Sequence, residues 1–168
     1  VPALEIPLNV ECDYLHLHDV DDDGEFEVVF IKQHCAGPDQ TFIANIGVLN
    51  LQGEIVWSQG DVKENQFPVH SDVAFNLGDI DGDGKIELIF TQNRKIKIVD
   101  AATGREKASC PTPEVNGQPI IGDSFILADL RGTGRKSDFI IKDRYTHVWA
   151  YDQELNPLWH RELNTGHY

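Results

Sequence analysis

The 168 residues are 40% hydrophobic and 25% charged, the balance of a folded chain long enough for one sizeable core. A formal net charge of −14 makes nucleic acid an unfavourable partner, and no apolar run approaches the roughly 18 residues that a membrane span requires. Methionine is absent, so the sequence reads as a processed form or a fragment.

In chain order, a Pro-bearing connection "IPLNVECD" leads into an alternating run "DYLHLH", an acidic turn "DVDDDGEFE" and a β-rich run "FEVVFIK". A loop insertion is read at "QHCAGPDQ", before the hairpin "IGVLNLQGEIVWS" around Gly53. The same order returns as "FPVHSD", "VAFNLG", the acidic turn "DIDGDGKIE", "IELIFTQ" and the hairpin "KIKIVDAATGREKAS" around Gly104. A degraded third copy runs through "QPIIGD", "SFILA", "DLRGTGRKS", "DFIIK" and "THVWAYDQELNPLWHRE", which turns at Asn156. The turns begin at Asp19, Asp79 and Asp129, so the copies are 60 and 50 residues apart.

No long segment has helical periodicity, and four strands in 50–60 residues is the size of a propeller blade. The predicted fold is therefore all-β, with three blades of four antiparallel strands over residues 7–62, 68–112 and 119–164. Residues 165–168 open a further connection. Three blades cannot close a ring of ordinary curvature, so further blades or another chain are expected to complete it; an open three-sheet stack is the alternative.

The acidity has a place. Residues 1–128 carry 22 acidic and 8 basic side chains, and residues 129–168 carry 6 of each. In the first turn, oxygens recur at positions one, three, five and nine: Asp19, Asp21, Asp23 and Glu27. Gly24 at position six permits the bend, and the Glu25 carbonyl can turn inward. The second turn repeats this with Asp79, Asp81, Asp83, Gly84, the Lys85 carbonyl and Glu87. Alternating carboxylates around a tight bend wrap a hard cation such as Ca²⁺, which accepts about six to eight oxygens. A lone acidic turn could simply be solvated, but two in the same phase share a cause. The third turn breaks the pattern with Arg131, Thr133 and Ser137 at positions three, five and nine. There Arg131 is expected to pair with Asp129 or Asp138 in place of calcium.

The repeated DxDxDGxxE after a strand resembles the FG-GAP/VCBS repeats found in integrin α subunits, which implies calcium-bearing propeller blades. The stretch "KDRYTHVWAYDQELNPLWHRELNTGHY" in the third copy resembles segments of secreted microbial propellers such as rhamnogalacturonan lyases, which implies an acidic polysaccharide or other glycan as partner and β-elimination as chemistry. That reaction needs a group to neutralise the sugar carboxylate, a base for the C5 proton and a donor to the leaving oxygen. Arg144, His147 and His167 are the candidate catalytic residues, in the one electrically neutral part of the chain. Trp149, Tyr151 and Trp159 are expected to pack between sheets. His16 and His18 alternate on one strand and face the same side, as a shared site or a packed face. Cys12, Cys35 and Cys110 fit either free thiols or one bridge. A secreted or cell-surface protein is expected, with a non-catalytic adhesion or carbohydrate-binding propeller as the alternative to a lyase.

Overall fold

The computed structural model describes residues 5–37, 40–69 and 72–163. No helix occurs among them, and none is long and apolar enough to cross a membrane. The first sheet comprises β1 (Tyr14–His18), β2 (Glu27–Cys35), β3 (Thr41–Leu49) and β4 (Ile55–Gly60). The second comprises β5 (Phe75–Gly78), β6 (Glu87–Gln92), β7 (Lys95–Asp100) and β8 (Glu106–Pro111). A two-stranded ribbon follows, β9 (Glu114–Val115) and β10 (Gln118–Pro119), and then the third sheet: β11 (Ser124–Ala128), β12 (Asp138–Lys142), β13 (His147–Tyr151) and β14 (Pro157–Glu162). Within each four-stranded sheet the strands lie in sequence order and pair antiparallel, which makes the three sheets propeller blades.

The residue pattern dictates the packing. β2 and β6 are the second strands of their sheets, covered on both faces, and their apolar runs are buried almost throughout. Alternate side chains of β6 point opposite ways. Leu88 and Phe90 join Val29, Ile31, Ile46 and Val48 of the first sheet in one cluster. Ile89 faces the other way, into a cluster with Phe125, Phe139, Ile141, Trp149 and Tyr151 of the third. A small third cluster, Val28, Phe30 and Leu49, lies on the far face of the first sheet under Ile6, Val10 and Cys12. None of these clusters joins the first sheet to the third among the described residues. Apolar burial of this kind contributes about 25 cal/mol per Å², so the inter-sheet clusters hold the blades in order.

Several expectations change. The segment read as a loop insertion also lengthens strands: β2 and β3 each have nine residues where β6 and β7 have six. The β9–β10 ribbon was not predicted, although its turn, Asn116-Gly117 with φ of 52° and 73°, is a strong hairpin signal. Trp149 and Tyr151 pack between sheets, but Trp159 does not. The β13–β14 register sets Trp159 opposite Ala150, whereas Trp149 is opposite His160, so Trp159 lies on the other, half-exposed face. All three cysteines are free thiols.

Candidate metal centre

Each acidic turn links the first strand of a sheet to the second. The register pairs His18 with Glu27, Gly78 with Glu87 and Ala128 with Asp138. The residue after the loop that corresponds to Glu27 and Glu87 is therefore Asp138, not Ser137, because the third loop is one residue longer. Two backbone features are common to all three. Positions four and six are left-handed: Asp22 and Gly24, Gly82 and Gly84, Gly132 and Gly134 have φ between 62° and 90°. Gly84 would have nothing within 4 Å of an added Cβ; its requirement is conformational.

The carboxylate after the loop closes it. Val20 N–H donates to Glu27 Oε2 at 2.9 Å, Ile80 N–H to Glu87 Oε2 at 2.8 Å, and Leu130 N–H to Asp138 Oδ2 at 2.9 Å. Asp19, Asp21 and Glu27 bring carboxylate oxygens within 4.8 Å of one another, as do Asp79, Asp81 and Glu87, and either cluster could hold a metal ion. Asp23 and Asp83 lie outside those groupings. Their Oδ1 atoms accept the N–H groups of Glu25 and Lys85, at 2.7 Å and 2.9 Å.

The first cluster fits a cation. Asp19 Oδ1 is buried and lacks a hydrogen-bond donor, a position that is costly unless a positive charge meets it. Glu27 is held above the usual carboxylate range by burial, reinforced by the nearby Asp21, Asp23 and Asp19 against the opposing Val20 N–H bond. Asp19 and Asp21 line a cleft of about 630 Å³ that also borders Lys85 and Thr103 of the second sheet.

The second cluster has a partner that sequence reasoning missed. Lys107 on β8 sets Nζ 2.5 Å from Asp81 Oδ2, 2.8 Å from Glu87 Oε1 and 3.2 Å from Asp83 Oδ2. Burial pulls the ammonium's pKa down, but its hydrogen bonds to Asp81, Glu87 and Asp83 more than reverse this, leaving it well above the ordinary lysine value. In the third turn Arg131 pairs with Asp138, Nε and Nη2 each 2.8 Å from Oδ1. Asp129 is held below its usual range by the N–H groups of Thr133 and Gly134.

The candidate catalytic residues are tied to carboxylates. Arg144 Nη2 lies 3.3 Å from Asp72 Oδ2, and its Nε lies 3.9 Å from Asp123 Oδ1. His147 Nδ1 sits 3.0 Å from Asp143 Oδ2, and its ring stacks on Trp149 and His160 at 5.6 Å and 5.4 Å. Arg144 lines a cleft of about 390 Å³ with Arg94, Gln118, Asp123, Asp143 and Tyr145; His147 is not among its walls. His167 lies outside the described residues. His16 and His18 share a face, with ring centroids 6.2 Å apart; burial, then the neighbouring His18, lowers the pKa of His16.

Four-stranded antiparallel sheets stacked through their faces, each with a turn left-handed at positions four and six between its first two strands, define a portion of a β-propeller with capacity for cations in two of its turns. No protein-family model matches the sequence, and no curated protein does. Among solved structures the chain is similar to rhamnogalacturonan lyase YesW, at 16% identity over 88% of this chain and 33% of that one, with a TM-score of 0.58. It is also similar to a rhamnogalacturonan lyase of Bacillus licheniformis, at 15% identity over 88% and 33%, TM-score 0.56, and to the C-terminal domain of Pseudomonas aeruginosa PilY1, at 18% over 83% and 30%, TM-score 0.53. These likenesses are of fold, and the chain spans about a third of the length of the lyases.

Proposed function

We propose that the chain is a calcium-binding portion of a secreted β-propeller, with blades at 7–62, 68–112 and 119–164 of the FG-GAP/VCBS type, that acts on a uronate-containing glycan by β-elimination. The observation that carries this reading is the shared fold with two rhamnogalacturonan lyases over 88% of the chain. Asp19, Asp21, Asp23, Glu27 and the Glu25 carbonyl would hold one ion, and Asp79, Asp81, Asp83, Glu87 and the Lys85 carbonyl form the second donor set. A bound Ca²⁺ supplies positive charge that neutralises the clustered carboxylates and ties the two ends of the turn together. Arg144 would exchange Asp72 for a sugar carboxylate, an interaction suited to its planar fork. Asp143 on Nδ1 leaves His147 Nε2 as the nitrogen able to take a proton.

A second reading, a non-catalytic glycan- or protein-binding propeller, is favoured by the ion pairs that engage Arg144 and His147 and by the absence of His147 from the walls of the cleft that Arg144 lines. Incubation of the chain with rhamnogalacturonan and polygalacturonate in calcium separates the two. New near-ultraviolet absorbance from unsaturated uronate, lost in Arg144→Ala and His147→Ala, supports the lyase. Saturable retention on the glycan with no new chromophore overturns it in favour of binding.

A further inference from the structure

The last strand of each sheet carries an irregularity at the same place. The β3–β4 pairing shifts between Val48 and Leu49, β7–β8 between Ile98 and Val99, and β13–β14 between Ala150 and Tyr151. Leu49 pairs with Ile55 and Val48 with Trp57, which leaves Val56 as the extra residue; the same step in the second sheet leaves Lys107, and in the third Leu158. A bulge re-aims the side chain it carries. In the second sheet that side chain is an ammonium, and it reaches Asp81, Asp83 and Glu87 at once. In the first sheet the bulge residue is an apolar Val56, half exposed, and the turn it accompanies retains a buried, donor-less Asp19 Oδ1. In the third sheet the bulge residue is Leu158, and the cation comes from inside the turn as Arg131.

The three turns thus share their left-handed positions and differ in where their positive charge comes from. We infer that Lys107 is the built-in cation of the second acidic turn: its ammonium takes the place that the first turn leaves for a divalent ion. The turns are therefore inequivalent, and metal enters the second only by displacing Lys107. The displaced ammonium must give up three carboxylate contacts, one to the fully buried Glu87 side chain, and charge-assisted bonds of this kind are the strong ones. The second site is consequently the weaker of the two, although both turns match DxDxDG in full. The inference rests on the calcium reading of these turns.

Calorimetric titration of the chain with CaCl₂ tests it. The expected result is one tight site and a second weaker by at least about tenfold, equivalent to about 1.4 kcal/mol. Lys107→Met brings the second site to an affinity comparable with the first, and adding Asp21→Asn to that variant leaves a single site. Lys107→Met also strips the buried Glu87 of its counter-charge, so the reciprocal Val56→Lys provides an independent arm. It places a lysine at the matching bulge of the first sheet and weakens the tight site by about tenfold. Two equal sites in the unmodified chain, or affinities unmoved by both variants, overturn the role of Lys107 while leaving the calcium reading intact. No heat of binding in any variant overturns both.

Discussion

Arg131→Met is the sharpest probe of how the third turn is held. The Asp138 side chain is fully buried, whereas Arg131 is 36% exposed. Asp138 Oδ2 accepts the N–H groups of Leu130 and Arg131 at 2.9 Å and 3.0 Å, and Oδ1 depends on the guanidinium at 2.8 Å. Methionine keeps the apolar stem and the backbone donors but leaves Oδ1 buried without a donor. Breaking a buried pair costs about 3–5 kcal/mol, and an orphaned acceptor about 1–3 kcal/mol. The outer edge of Arg131 reaches solvent, so water replaces part of what is lost, and about 2 kcal/mol is expected. For a chain of 168 residues that is a fall in Tm of about 4–8 °C, read by circular dichroism or scanning calorimetry. The double variant Arg131→Met/Asp138→Leu should recover most of the loss, since removing both partners leaves no buried charge. A single variant within about 0.5 kcal/mol of the parent, or a double variant that is no better than the single, would refute the claim that the guanidinium neutralises Asp138.

Calcium at about a hundredfold over its dissociation constant should stabilise the chain by about 2.7 kcal/mol per site, a Tm rise of roughly 5–10 °C that EDTA reverses and Asp21→Asn reduces; a Tm indifferent to both would count against any metal in the first turn. Gly84→Ala should cost about 1–2 kcal/mol, because φ of 87° forces an L side chain into the left-handed region, and urea titration reads it; a neutral result would mean that the loop backbone relaxes. Asp143 answers to pH. Burial raises its pKa, but the N–H groups of His147 and Thr146 and the His147 ring outweigh this and leave it below the ordinary 3.8. Its folded value is the lower one, so its contribution is full above the unfolded pKa and disappears as pH falls through the folded one. The stability gap between the parent and Asp143→Asn should therefore close between about pH 5 and pH 2, and a gap constant across that range would contradict the assignment.

The blades and the acidic turns were legible in the sequence because their causes are local. Period-two alternation places Leu88 and Phe90 on one face of a strand and Ile89 on the other whatever surrounds them. The glycines at position six mark left-handed backbone that few other residues adopt, and carboxylates at alternate positions announce a common focus. The β9–β10 ribbon was equally local, and its Asn-Gly turn was in plain view.

What turned on tertiary structure is which positive charge each turn receives. Lys107 follows its turn by a hairpin's length and meets it only because a register shift at Ile98 and Val99 re-aims one side chain; nothing in its immediate neighbourhood marks it. The same holds for Asp138, promoted over Ser137 by its pairing with Ala128, and for Arg144, whose carboxylates Asp72 and Asp123 arrive from other parts of the chain. Spacing along a chain specifies what a loop offers, but the charge that answers it comes from an adjacent strand or sheet. Electrostatic partners are chosen by distance in space, and that distance exists only once the sheets have packed.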